Sequence, residues 1–172
     1  ALTAMVCALT VGKKKYADVQ ELAIESQKKG NELKAQFVDV IDRDTEAFNA
    51  VSAVFAMPKD TDEEKAARKA AMQEALKGCT KTPFEMMELA CQALELTRSV
   101  VGKLNASAAS DLGCAALSLK AAIQGAWLNV LINIGGIQDQ AFADEYRQKG
   151  QALLDKALPL ADAIYQEVLE SL

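Results

Sequence analysis

The longest apolar run lies between Ser110 and Asn133, SDLGCAALSLKAAIQGAWLNVLIN, where Lys120 is the single charge after Asp111. A helix apolar on nearly all sides is expected to be buried on nearly all sides, so this run predicts a central core helix. Ser110 and Asp111 are suitable N-cap residues ahead of it, and Gly135-Gly136 behind it can take the left-handed conformation of a helix end. Steps of three and four set Ser118, Ala122, Gly125, Asn129 and Asn133 on one small, amide-lined face, with Lys120 and Gln124 about opposite. The run also reaches the length a bilayer requires. Its spread of Lys120, Gln124, Asn129 and Asn133, between ordinary charged amphipathic flanks, favours soluble core over a membrane span.

A second pattern runs from Ala17 to Met57. Leu33, Phe37, Val40, Ile41, Phe48, Val51 and Phe55 keep a step of three or four, the buried stripe of an amphipathic helix with a weak point at Gly30 and a stop at Pro58. Asp44 falls within that stripe, three after Ile41 and four before Phe48, whereas Asp42, Arg43 and Glu46 point elsewhere. A carboxylate on an apolar face costs free energy unless it is paired or protonated, and such settings are where carboxylates take up acid–base work. Two readings stay open on the residues alone: an acid–base group, or a structural Asp paired with a lysine or capping a neighbouring helix.

The remaining segments are helical too. Thr61-Asp62-Glu63-Glu64 has the form of a capping box, and Thr82-Pro83-Phe84-Glu85 repeats it with Pro at the first helical position. Asp62 to Gly78 and Pro83 to Leu104 therefore read as two helices, or as one kinked at Pro83, the first solvated and rich in charge, the second more buried. A polar loop, Asn105 to Ala109, leads into the central helix. Gln138 to Leu172 carries Phe142, Tyr146, Leu153, Leu154, Ala157, Ala161, Ile164 and Val168 at helical spacing, and Pro159 should kink or divide it. Ala1 to Val11 reads as a small-residue helix, cut off at its start and ending at Gly12. Lys13-Lys14-Lys15 after it is a solvated loop or, held by a buried helix end, an anion site. The prediction is one domain over 1–172, an all-α, largely antiparallel bundle of long, Pro-kinked helices.

Composition narrows the chemistry. A chain of 172 residues can bury roughly 70% of its unfolded surface, enough for one autonomous core. Its net charge of −5 gives no support to a nucleic-acid partner. The absence of histidine removes Ser-His-Asp and Cys-His catalysis and any His-ligated metal, leaving Asp, Glu, Lys, Tyr and Cys for proton transfer. Cys7, Cys79, Cys91 and Cys114 show no paired spacing, which predicts buried, inert, reduced thiols in a cytoplasmic protein without a secretion signal.

Four strings in order, MVCALTVGKKKY at 5–16, DRDTEAFNAV at 42–51, MPKDTDEEKAARKAAMQEAL at 57–76, and SDLGCAAL with GAWLNVLIN within 110–133, resemble the cyclodeaminase/cyclohydrolase family of folate enzymes. The resemblance implies an all-helical fold that forms homodimers, a tetrahydrofolate derivative as substrate, no tightly bound cofactor and no metal. Asp44, in the D-x-E-A-F string, matches the family's catalytic aspartate. Lys13 and Lys14 match a basic pair that the resemblance implies faces the anionic folate at its glutamate tail, with Tyr16 nearby. Ser110, Asp111 and Asn129 are weaker candidates for pterin or bridge contacts. Family members carry another helix and a P-G-G-G-S segment before the first string, and this chain starts after that segment. The activity implied is methenyltetrahydrofolate cyclohydrolase, with formiminotetrahydrofolate cyclodeaminase as the alternative and a non-catalytic helical interaction module as the further one.

Overall fold

The computed structural model describes residues 1–172. Its helices, in chain order, are α1 (Leu2–Ala8), α2 (Gln20–Phe55), α3 (Asp62–Val100), α4 (Ala109–Ile134) and α5 (Gln140–Ser171), with 3-10 turns at Lys14–Val19 and Ala106–Ala108. The 39-residue α3 is the spine, packed against α2, α4 and α5. Its start is fixed as the sequence predicts: the Thr61 hydroxyl accepts from the Glu64 N–H while the Glu64 carboxylate accepts from the Thr61 N–H, two otherwise orphan donors satisfied at once.

The core lies where α3, α4 and α5 meet, with Val6 of α1 closing it above. Val6, Met87, Leu94, Ile123, Val130 and Ile164 are fully buried, each stabilising the fold by about 1.5–3 kcal/mol through removal of apolar surface from water. A smaller cluster of Leu33, Val40 and Leu89 joins α2 to α3. The first residues of α1 sit between α2 and α4, above α3, where Ala1, Thr3, Leu33, Phe37, Leu96 and Leu119 line a recess of about 200 Å³. Stepping on along α2 from Phe37 by three and four reaches Ile41, Asp44 and Phe48, and this continuation of the line is exposed.

Several expectations are corrected. α4 is not buried all round: Leu117, Leu128 and Ile132 are exposed, because α3, α5 and α1 cover only part of its circumference. On α2, Ile41, Phe48 and Phe55 are likewise exposed, since α3 packs against one side of that helix and nothing covers the adjoining one. α4 begins two to three residues earlier than the Ser110-Asp111 signal, with Ala108 at the cap position, and Gly135 ends it in a right-handed conformation. The left-handed positions are Gly12 and Gly102, at φ 77° and 74°, just past the ends of α1 and α3. Pro83 and Pro159 lie inside unbroken helices, α3 and α5. Of the four free thiols, Cys114 is exposed, because its position on α4 faces away from the core.

Candidate functional site

Asp44 stands on α2 along that line, exposed rather than buried as its place in the apolar stripe had predicted. The uncovered side of α2 explains the difference. The carboxylate is nonetheless held: the hydroxyl of buried Thr82 donates to Asp44 Oδ1 at 2.6 Å. Threonines inside helices commonly donate back to the carbonyl four residues earlier, as Thr80 and Thr97 do to Leu76 and Ala93. Thr82 instead reaches across the helix pair. The capping box predicted at Thr82 does not form, because α3 runs through it without a break and its hydroxyl is committed to Asp44.

The next residue completes the arrangement. Pro83 has no N–H, which leaves the Cys79 carbonyl without its helical donor. Asn133 of α4 supplies one, its Nδ2 donating to Cys79 O at 2.8 Å. Burial pushes the Cys79 thiol up, and the negative charge of Asp44 raises it further. From the position just before Asp44, the Arg43 guanidinium donates to both carboxylate oxygens of Glu85, at 2.7 and 2.6 Å, and to Asp39 at 2.7 Å. That two-pronged bond clamps α2 to α3 and holds Glu85 below the usual carboxylate range. Asp44 and Thr82 thus tie α2 to α3, and Asn133 and Cys79 tie α4 to α3 about one turn away. Asn129 lies one turn of α4 away, exposed, donating to its own Gly125 carbonyl at 3.1 Å.

The other sequence candidates gather at the opposite end. Lys13 and Lys14 are exposed on the turn after α1, whose Gly12 N–H donates to the Gln20 side chain at 2.7 Å. The Tyr16 hydroxyl accepts from the Ala106 N–H at 3.1 Å, and Ser110 and Asp111 lie in the first turn of α4 beside it. At 1.5 Å per residue along α2, Gln20 and Asp44 are about 36 Å apart. Within one chain Lys13, Lys14, Tyr16, Ser110 and Asp111 therefore do not meet Asp44 and Asn129. The sequence analysis missed Thr82, Cys79 and Asn133; the available signal was Pro83 itself, since a proline within a helix frees a carbonyl four residues back.

A sequence-family profile described as formiminotransferase-cyclodeaminase matches residues 1–152. The chain is 41% identical to the methenyltetrahydrofolate cyclohydrolase of Methylorubrum extorquens, over 98% of its own length and 81% of that protein's. It is 31% identical to the formimidoyltransferase-cyclodeaminase of Sus scrofa over 91% of its length, and there spans only 29% of the relative. The crystal structure of a formiminotetrahydrofolate cyclodeaminase from Thermotoga maritima superposes with a TM-score of 0.78 at 26% identity, covering 99% of this chain and 79% of that one. The shared helical fold, the four strings and the near-complete match agree: the chain belongs to the formiminotransferase-cyclodeaminase family.

Proposed function

We propose that the protein is a folate cyclohydrolase, converting 5,10-methenyltetrahydrofolate and water to 10-formyltetrahydrofolate. The observation that carries this reading is Asp44, an exposed carboxylate held by the Thr82 hydroxyl, in a chain 41% identical to a cyclohydrolase. The methenyl bridge is a cationic amidine. Asp44 stabilises that cation and takes a proton from the water adding to the bridge carbon. It then returns a proton to N5 as the C–N5 bond breaks, so the formyl group stays on N10 and one proton is released overall. This chemistry is open to a chain without histidine.

The likeness to the Thermotoga cyclodeaminase favours a second reading on the same site. In 5-formiminotetrahydrofolate N10 would attack the formimino carbon, and Asp44 would help protonate the departing ammonia. A paired spectrophotometric assay decides between them: loss of methenyltetrahydrofolate beyond its spontaneous hydrolysis marks the cyclohydrolase, and its appearance from 5-formiminotetrahydrofolate marks the cyclodeaminase. In either case Asp44→Asn should cut turnover about 100-fold or more with an unchanged melting temperature. Turnover equal to wild type would remove Asp44 from the mechanism. Silence in both cuvettes would favour the non-catalytic module.

The working unit in this reading is a homodimer. Lys13, Lys14, Tyr16, Ser110 and Asp111 then serve a ligand on Asp44 only from a second protomer, given the length of α2.

A further inference from the structure

In its second half, the line of α2 that faces α3 runs through Val40, Arg43, Ala47, Val51 and Val54, spaced three and four apart and buried or half-buried among exposed neighbours. Arg43 is the one charged residue on it. From Ile41 to Ala53, about 20 Å of helix, no residue of α2 is buried. The side-chain hydrogen bonds that join this stretch to α3 are those of Arg43 to Glu85 and of Thr82 to Asp44. Asp44 is therefore carried on a length of helix that no fully buried side chain anchors, and two adjacent polar ties locate it.

The Arg43 tie is the more exacting of the two. Each guanidinium nitrogen is engaged: Nε donates to Asp39 one turn back on α2, and Nη1 and Nη2 donate to the two oxygens of Glu85. A planar fork against a carboxylate has essentially one good geometry, which a single-point contact lacks. Glu85 lies one turn of α3 beyond Thr82, so two successive turns of α3 grip two consecutive residues of α2. Both side chains of the ion pair are 40% exposed, and pairs so placed contribute little to stability. An apolar side chain at this position would also pack on α3, but it would tolerate sliding and rotation of α2. What the fork adds is register.

We propose that Arg43, through its two-pronged bond to Glu85, is a positioning residue that fixes the Asp44 carboxylate in place for reaction with the folate bridge. The inference rests on the folate reading above. It gives a task to a residue that the periodicity of α2 set aside as pointing away from the site. A displacement of about 1 Å in a reacting group can cost on the order of 100-fold in rate, so a tie that adds little stability can still govern turnover.

The test is a double-variant cycle on the intact protein, read by kcat, KM and melting temperature in whichever of the two folate assays the wild type answers. Arg43→Met keeps the long stem and its packing but loses the fork, and Glu85→Leu removes the other half. Each should lower kcat about tenfold with KM within about twofold and little change in melting temperature. Because the two residues act as one unit, the double variant should lose no more than either single one. A role confined to stability would lower the melting temperature and leave kcat alone, and that result would overturn the proposal. So would a raised KM at constant kcat, which would make Arg43 a ligand contact, or losses that multiply in the double variant. Wild-type kcat in Arg43→Met would remove the positioning role and leave the folate reading intact, whereas a wild type silent on both folates would overturn both.

Discussion

At the scale of single residues, the site is an exposed carboxylate kept in one orientation by a buried hydroxyl. A hydrogen bond to a charged group is worth about 1.5–3 kcal/mol, so Thr82→Val, which keeps the shape and loses the donor, should lower kcat roughly tenfold or more. Thr82 acts through Asp44, so KM should change little and Thr82→Ser should restore turnover; a variant that loses only stability would make Thr82 structural. The thiols sort in the same local terms. Burial pushes Cys7, Cys79 and Cys91 up, and Asp44 adds to the effect at Cys79, whereas Cys114 is exposed. Because the thiolate is the reacting form, a maleimide at neutral pH should modify Cys114 first, with the other three reacting only on unfolding. Mass spectrometry of the labelled peptides reads the order. Asp44 stood out in the chain as part of a D-x-E-A-F string within an apolar stripe. Its partner was not, because Thr82-Pro83-Phe84-Glu85 reads locally as a helix start and only the packing of α2 on α3 shows otherwise.

At the scale of elements, periodicity and caps located each helix to within a few residues, and the misplaced features share a cause. Pro83 and Pro159 suggested breaks, yet a proline removes one hydrogen bond from a helix, and long helices anchored along their length retain the rest. At Pro83 the vacated carbonyl is taken by Asn133, so the defect becomes a tie between α3 and α4. Close approach of α4 and α5 depends on a glycine whose role periodicity cannot show. A Cβ at Gly150 would lie 2.0 Å from Trp127 Cζ3. In an open helix Gly→Ala would stabilise by about 1 kcal/mol, but here overpacking of about 1–3 kcal/mol decides the sign. Gly150→Ala should therefore lower the urea midpoint, and a raised midpoint would show that the indole ring moves aside without cost.

At the scale of the whole molecule, the apolar surface left uncovered is the feature composition could not reveal. Ile41, Phe48 and Phe55 of α2 and Leu128 and Ile132 of α4 are each more than half exposed, at 58–76%. Apolar side chains grouped in this way mark association surfaces. Light scattering should give twice the 18.4 kDa chain mass, and Phe48→Lys with Ile132→Lys should shift it toward the single chain; a monomeric mass for wild type at high concentration would refute the homodimer. A sequence reading treats every apolar stripe as core, since the residue types that face a core and those that face a partner are the same. The carbonyl opened by Pro83 has a mechanical consequence as well. With Asn133 engaged in its backbone and Gln73 and Lys77 bound to the α4–α5 turn, α3 cannot slide lengthwise against α4 without releasing bonds at three levels.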